Sequence, residues 1–197
     1  CGLVKRCLAP APFLLAGLVL CTATSAAGPA AVKPARQAAP TVPFPAPPAV
    51  SSRAFLVQNL VTGEVIAGRN ERRRQPIASI TKLMVALVAL EHARPGDPVR
   101  VSRAAAAVDG SQAGLYEGQV LTVRELVEAA LVPSANDAAD ALADGISGGR
   151  RVLFVRWMNE KARALGMTDT QFRRPEGLDA PGQSSSARDV ALLGRAA

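Results

Sequence analysis

The segment PIASITKLM, residues 76–84, decides how this chain is interpreted, because it joins two reactive side chains to the start of a helix. Pro76 comes shortly before a run of mostly apolar residues, Ile80 to Leu90. The run is apolar nearly all round, which predicts a buried central helix and not a surface helix. Ser79 and Lys82 are three positions apart, so the helix places both side chains on one face, within reach of each other.

This pair is a candidate nucleophile and base. A serine hydroxyl is a weak nucleophile and needs a base, and a lysine is a base only when its pKa is lowered. Burial and a helix N-terminus both disfavour the positive charge of the lysine. The free backbone N–H groups at the same helix end can stabilise a developing oxyanion. We therefore expect Ser79 to act as nucleophile and Lys82 as its base.

A second motif, Ser134-Ala135-Asn136, is the only Ser-x-Asn in the chain, and Ser79 begins its only Ser-x-x-Lys. It falls in a predicted loop between two helices, where a hydroxyl can face a cleft. We expect Ser134 to relay a proton between Lys82 and a leaving amine. Asn136 can donate to a substrate carbonyl and hold the Lys82 side chain. The alternative hypothesis is structural, with both serine motifs capping helices and Lys82 extending along the surface.

The body around these motifs predicts a hairpin followed by helices. Residues 54–60 and 64–67 favour strands and flank a turn at Thr62-Gly63. Thr122 and Glu125 form a capping box that opens a helix, which Pro133 closes. Apolar spacing predicts more helices at residues 137–144, stopped by Gly145, around Phe154, Trp157, Met158 and Leu165, and at 187–197.

Composition excludes several classes of function. The net charge is +7, but residues 1–53 hold five basic residues and no acid, while the rest has 18 basic residues against 16 acids, or +2. A nearly neutral body with one Tyr and one Trp makes a poor nucleic-acid surface. His92 is the only histidine and all three cysteines lie in the first 21 residues, so we expect no metal site and no cofactor. We predict His92 to be a residue at the end of the central helix.

The first 53 residues predict a leader and a spacer. Basic residues, an apolar stretch and then small residues are typical of a secretory signal peptide, which we assign to residues 1–27. Residues 28–53 are rich in proline and alanine, which indicates a semi-rigid linker. An uncut membrane anchor is the alternative to cleavage. The chain begins with Cys1, so we expect it to be part of a longer reading frame.

Residues 76–84 closely resemble the active-site segment of the D-alanyl-D-alanine carboxypeptidases, which are low-molecular-weight penicillin-binding proteins. The resemblance covers about residues 54–197. It continues in order through Gly114-Leu115 and Gly118, LTVREL at 121–126, SANDAA at 134–139, Met158-Asn159, LGMT at 165–168, Phe172, PEGLD at 175–179 and SSARD at 185–189.

The resemblance implies an α+β fold of the penicillin-binding protein and β-lactamase type, a helical subdomain packed on a mainly antiparallel sheet. It implies that Ser79 attacks the terminal D-Ala-D-Ala amide of a peptidoglycan stem peptide and forms an acyl-enzyme. Lys82 is then the base, Ser134 the proton relay and Asn136 the substrate anchor. The implied partners are stem peptides and β-lactam antibiotics. We expect the protein at the periplasmic or outer face of the cell envelope, with membrane contact only through the leader or a C-terminal anchor.

The chain departs from the family pattern at its third motif. The family has a Lys-Thr-Gly or a close variant on a late strand, and none of the four lysines here is followed by Thr-Gly or Ser-Gly. We therefore expect a chain truncated before its last strands, which folds poorly and turns over slowly or not at all by itself. Val85 stands where the family commonly has Thr, and Glu176 where it commonly has His.

Three alternatives stay open. A murein endopeptidase carries the same motifs. A class A β-lactamase shares the first two, with Glu176 to Asp179 as a loose echo of its deacylation loop. A non-catalytic cell-wall-binding module would have the fold without the chemistry, and the missing third motif is its main support.

Overall fold

The computed structural model describes residues 50–197. The predicted signal peptide and all but residues 50–53 of the predicted linker lie outside the described residues. Ten helices and strands follow in chain order: β1 (Phe55–Gln58), β2 (Val65–Arg69), α1 (Thr81–His92), β3 (Pro98–Arg100), α2 (Arg103–Ala106), β4 (Val120–Thr122), α3 (Val123–Leu131), α4 (Asn136–Ile146), α5 (Arg151–Ala164) and α6 (Ala187–Ala196).

The strands form two small antiparallel sheets within the described residues. The predicted hairpin is confirmed: β1 pairs with β2, with Phe55 opposite Arg69 and an irregularity after Val57. β3 pairs with β4, with Val99 opposite Leu121. Helix α6 packs against β1. Helices with small antiparallel sheets agree with the predicted α+β class.

Helix α1 is the centre of the core, as its apolar sequence predicted. It follows a single 3-10 turn at Ala78–Ile80 and packs against α3, α4, α5 and α6. Seven of its 12 residues are buried. Full burial of a side chain such as Met84 or Val85 contributes about 1.5–3 kcal/mol to folding. The packing on several sides explains why no polar face interrupts the run.

Helix α3 begins with the predicted capping box. The Thr122 hydroxyl accepts a hydrogen bond from the Glu125 N–H at 3.2 Å. The Glu125 carboxylate accepts one from the Thr122 N–H at 2.7 Å. Two backbone groups that would otherwise lack partners are satisfied, which fixes where the helix starts. The hydrogen bonds also hold the Glu125 carboxylate in its charged form and lower its pKa.

The prediction that Gly145 stops α4 is wrong, because the helix continues to Ile146. A Cβ atom at Gly145 would overlap Cγ1 of Val99 in β3. The glycine therefore permits close packing of α4 on the β3–β4 sheet and does not terminate the helix. A helical glycine with a packing role looks the same in sequence as a helix stop.

Helix α5 and the chain that follows it complete the core. Phe154 and Met158 are buried, and Trp157 packs half-buried against the core. The Trp157 ring stacks on His92 with centroids 4.0 Å apart, and His92 is the last residue of α1, as predicted. Beyond Leu165, two isolated bridges, Gln171 with Ser184 and Gln75 with Ser185, join the turn-rich segment to the rest. Within residues 50–197, no helix has the length and apolar character that a membrane crossing requires.

We predict that Gly145→Ala lowers the free energy of unfolding by about 1–3 kcal/mol, because its methyl group overlaps Val99. Gly194→Ala in α6 is the matched control, since a Cβ atom there has nothing within 4 Å. The control should raise the stability by up to about 1 kcal/mol through helix propensity. Denaturant unfolding of both variants measures the difference, and equal effects would contradict the packing role of Gly145.

Candidate active site

Ser79 and Lys82 lie together at the entrance to α1. Ser79 is in the 3-10 turn before the helix, and its side chain is exposed. Lys82, one turn further, is only 1% exposed. Its Nζ atom lies 3.2 Å from the Ser79 Oγ atom and donates to the Glu176 carbonyl oxygen at 2.8 Å. The predicted nucleophile is therefore open to solvent while its predicted base is buried behind it.

The burial of Lys82 contradicts the hypothesis of a surface lysine. Burial lowers the pKa of the Lys82 amine, while the nearby carboxylates of Glu176 and Asp140 oppose that shift. A lysine with a lowered pKa can take a proton from a neighbouring hydroxyl. The helix-cap hypothesis for Ser79 is also wrong, because α1 starts without any side-chain cap.

Asn136 is the first residue of α4 and is nearly buried, with 4% of its surface exposed. Its Nδ2 atom donates to the Asp109 carbonyl at 2.6 Å, and its backbone N–H donates to the Ser111 carbonyl at 2.7 Å. A Cβ atom at Gly110 would lie 2.6 Å from Asn136 Nδ2, so only glycine lets the 109–111 loop approach this closely.

The expectation that Asn136 holds the Lys82 side chain is not met. Within residues 50–197, Lys82 is held by Ser79 and by the backbone carbonyl of Glu176, and Asn136 is bonded to the 109–111 loop instead. The Asn136 amide is committed to the Asp109 carbonyl, on a different loop from the Glu176 carbonyl that binds Lys82. Asn136 lines the same cleft as Ser79 and Glu176.

Ser134 lies in the predicted loop between α3 and α4. Its backbone has φ of 60°, an uncommon conformation for a residue with a side chain. The N-cap of α4 is Ala135, which has no side chain able to cap, so the helix-cap hypothesis is wrong here as well. In the described part of the chain, Ser134 forms no hydrogen bond with Lys82.

A cleft of about 320 Å³ opens in front of Ser79. Both Ser79 and Asn136 line it, so two of the four predicted site residues face one space. The rest of its lining comes from the nucleophile turn, the 110–111 loop and a later loop: Ala78, Gly110, Ser111, Glu176, Gly177, Leu178 and Asp179. The sequence places these three segments far apart, and the fold brings them to one side of α1.

The later loop, residues 173–179, presses directly on the nucleophile turn. Gly177 has φ of 87°, and a Cβ atom there would overlap the carbonyl oxygen of Ala78. The loop is braced from behind by Gln183. The Gln183 Oε1 atom accepts from the N–H groups of Arg173 and Arg174 at 2.9 and 3.0 Å, and Nε2 donates to the Leu178 carbonyl at 2.8 Å. This bracing fixes the Glu176 carbonyl against Lys82.

Two acidic residues next to the site were not among its predicted members. Asp140 is fully buried in α4, and Glu176 is 1% exposed. The sequence contains a pattern that could have identified Asp140 as a neighbour of the site. Asn136, Asp140 and Asp144 recur every four residues, so they share one face of an otherwise alanine-rich helix. Glu176 had none beyond its departure from the family pattern, since its role depends on the loop's path.

Comparisons with known proteins place the chain in a family. The D-alanyl-D-alanine carboxypeptidase family (Peptidase_S11) matches residues 41–197. The chain is 42% identical over 171 residues to the D-alanyl-D-alanine carboxypeptidase DacD of Escherichia coli, covering 81% of this chain and 44% of that protein. It is 36% identical over 183 residues to a D-alanyl-D-alanine endopeptidase of Pseudomonas aeruginosa, covering 91% of this chain and 55% of that protein. The chain thus spans about half the length of these relatives.

Solved structures show the same fold. Penicillin binding protein 6B from Escherichia coli matches with a TM-score of 0.72 and 41% identity, over 78% of this chain and 52% of that one. Penicillin-Binding Protein D2 from Listeria monocytogenes, in its ampicillin-bound form, matches with a TM-score of 0.64 and 31% identity, over 75% and 61%. The predicted penicillin-binding protein fold is therefore confirmed, and the chain belongs to the D-alanyl-D-alanine carboxypeptidase family.

Proposed function

We propose that the complete protein is a serine-type D-alanyl-D-alanine carboxypeptidase that removes the terminal D-alanine from peptidoglycan stem peptides through an acyl-enzyme on Ser79. The observation that supports this most directly is the contact between the buried Lys82 amine and the exposed Ser79 hydroxyl, 3.2 Å apart. A base and a nucleophile in contact at the edge of a cleft are what acyl transfer requires.

The reaction then proceeds in two stages. Lys82 takes the proton of Ser79 as its Oγ atom attacks the carbonyl carbon of the penultimate D-alanine. When the tetrahedral intermediate collapses, the amide C–N bond breaks, and Ser134 passes the proton from Lys82 to the amine of the departing D-alanine. Water next attacks the Ser79 ester, which releases the shortened peptide and restores the hydroxyl. Each stage is aided when donors to the developing oxyanion are already in place.

Asn136 is the proposed anchor for the substrate. An amide nitrogen has two N–H donors, and only one is needed for the bond to the Asp109 carbonyl. The second can bind a carbonyl oxygen of the stem peptide in the cleft. The bonds to the 109–111 loop hold the side chain in position before substrate arrives, which lowers the entropy cost of binding.

The proposed partners and location follow from the same assignment. β-Lactams should acylate Ser79, and the ampicillin-bound form of the Listeria relative is a precedent. The proposed location is outside the cytoplasmic membrane, where stem peptides are found, and the sequence prediction of a leader supports it. No cofactor is required by the proposed steps.

An endopeptidase that cuts cross-bridges is the second candidate, because the Pseudomonas relative carries that name and matches 91% of this chain. A β-lactamase is disfavoured. In a class A β-lactamase, a glutamate in the deacylation loop activates the attacking water, and Glu176 is the residue of this chain that resembles it. The carboxylate oxygens of Glu176 are buried, so they cannot activate a water in the cleft. A non-catalytic module is disfavoured by the buried amine, which a binding surface does not need.

We predict that Ser79→Ala in the full-length protein abolishes the covalent adduct with a penicillin, with a loss of roughly a thousandfold or more in acylation rate. Mass spectrometry of the intact protein detects the adduct. Ser111→Ala is the matched control, since its hydroxyl lies in the same cleft but donates to the Pro133 carbonyl. The control should still form the adduct, and an adduct that survives in Ser79→Ala would sink the assignment.

A further prediction concerns the pH dependence of acylation. Because the neutral amine of Lys82 is the base, the acylation rate should rise with pH, with its midpoint below the ordinary lysine pKa of 10.5 because burial lowers the pKa. Lys82→Arg should lose acylation at every pH, since a guanidinium keeps its charge and cannot accept the proton. Stopped-flow acylation by a chromogenic cephalosporin measures both profiles. A pH-independent rate, or an active Lys82→Arg, would exclude Lys82 as the base.

A further inference from the structure

Two buried carboxyl groups face each other behind the candidate active site. Asp140 belongs to α4 and Glu176 to the 173–179 loop, and the two side chains are 0% and 1% exposed. The two groups interact, because Glu176 raises the pKa of the Asp140 carboxyl through its charge and through side-chain hydrogen bonding. Among the described residues, none of the four oxygen atoms has an aligned hydrogen-bond donor. Buried polar atoms normally have such a partner, so the pair needs an explanation.

An arginine lies at ion-pair distance from each carboxyl group without donating an aligned hydrogen bond. Nη1 of Arg151 lies 3.0 Å from Oδ2 of Asp140, and Nε of Arg174 lies 2.5 Å from Oε1 of Glu176. Both are ion pairs by distance, but neither is aligned as a hydrogen bond. Arg151 is shared with Asp144, whose carboxylate it binds with two nitrogens at 3.1 and 2.9 Å.

A proton between the two carboxyl groups accounts for the arrangement. Two ionised carboxylates are both acceptors and repel each other, whereas a protonated one can donate to its neighbour. Burial, and then the charge of Glu176, raise the pKa of Asp140 to about 8. In its protonated form, the Asp140 carboxyl can donate a hydrogen bond to the Glu176 carboxylate.

The charges around the pair come from every element packed on it. Helix α1 contributes Lys82, α4 contributes Asp144, α5 contributes Arg151, and the 173–179 loop contributes Arg174. With one shared proton the pair carries one negative charge. Loss of that proton adds a second negative charge beside an amine whose pKa both carboxylates raise.

We propose that Asp140 and Glu176 share one proton and form a positioning pair that keeps the Lys82 amine available as a base near neutral pH. The proposal rests on the proposed function, because it assigns Lys82 the role of base. The pair acts in two ways. The Glu176 side chain anchors the loop whose backbone carbonyl binds Lys82 Nζ at 2.8 Å, and the shared proton limits the negative charge that would hold a proton on Lys82.

The same proton affects folding stability in a definite direction. The ordinary pKa of the Asp140 group is 3.8, and folding raises it to about 8. The unfolded chain therefore releases this proton near pH 4, whereas the folded chain keeps it. The stabilisation is complete below about pH 4 and is lost as the pH rises to about 8.

The decisive variant is Asp140→Asn, because an amide donates to the Glu176 carboxylate at every pH and cannot ionise. In the full-length protein, acylation by a chromogenic cephalosporin is measured at about pH 7 and about pH 9. The wild-type rise should flatten above about pH 8, when the second charge appears. The rate at about pH 9 divided by the rate at about pH 7 should be roughly tenfold higher in the variant than in the wild type. The reason is that one negative charge a few ångströms from the amine changes its proton affinity by about that factor.

Asp144→Asn is the matched control. It is one helical turn away and removes a carboxylate that shares Arg151, but it keeps the Asp140 carboxyl. The second negative charge can therefore still appear, and the rate ratio should stay well below that of Asp140→Asn. A purely structural role for Asp140 would lower both rates equally and leave the ratio unchanged, which would overturn the proposal.

Two readouts do not depend on acylation and so separate this proposal from the proposed function. Difference infrared spectroscopy should show a protonated buried carboxyl in the wild type at neutral pH that Asp140→Asn lacks. The melting temperature of the wild type, relative to the variant, should fall between about pH 4 and about pH 8. Absence of the protonated carboxyl would overturn the shared proton. Failure of Ser79 to react with any β-lactam would overturn the proposed function and the positioning role of the pair, while these two readouts would still decide whether the proton is shared.

Discussion

A buried amine is the constraint on which the rest of this structure depends. Lys82 lies in the first turn of the central helix, where a charged ammonium without partners would cost several kcal/mol. Two acceptors, the Ser79 hydroxyl and the Glu176 carbonyl, relieve that cost. One acceptor precedes the lysine by three residues, and the other follows it by 94. Through these two hydrogen bonds, Lys82 links the 173–179 loop to the nucleophile turn, and both segments line the cleft.

Helix α4 also lines the cleft, through Asn136, and it too buries polar side chains that need hydrogen-bond partners. Nine consecutive residues, from Asn136 to Asp144, are buried. Four of them are alanines, whose small side chains let α4 approach its neighbours closely. Gly145 extends the close packing to β3. The polar side chains of this helix are therefore buried and depend on hydrogen bonds or ion pairs within the protein. Asn136 finds them in the 109–111 loop, and Asp144 finds them in Arg151 and Ser102.

Sequence was sufficient where the signal was local. The hairpin, the capping box at Thr122 and the buried central helix each depend on residues within a few positions of one another, and all three were predicted. The Ser79–Lys82 contact belongs to the same class, because helical geometry fixes a spacing of three. The resemblance to the carboxypeptidases gave the fold, and the comparisons agree with it.

Sequence was insufficient where a role depended on distant chain segments. Gly145 resembles a helix stop until β3 is known to lie against it. The amide of Asn136 can reach several acceptors, and only the path of the 109–111 loop determines which one it binds. Glu176 acts on Lys82 through a backbone carbonyl, which every residue possesses, so no residue type could reveal it.

The position of Glu176 links these observations. Its backbone carbonyl holds the amine that would activate Ser79, and its side chain reaches back to Asp140 on the helix that begins with Asn136. One residue thus connects the nucleophile turn to the helix that positions the proposed substrate anchor. Because the link on one side is a fixed hydrogen bond and on the other a titratable carboxyl pair, ionisation of the pair alters the base without requiring the loop to move. In this arrangement the wall of the cleft and the basicity of Lys82 depend on the same residue, so a substitution at position 176 that preserved the loop could still change the chemistry.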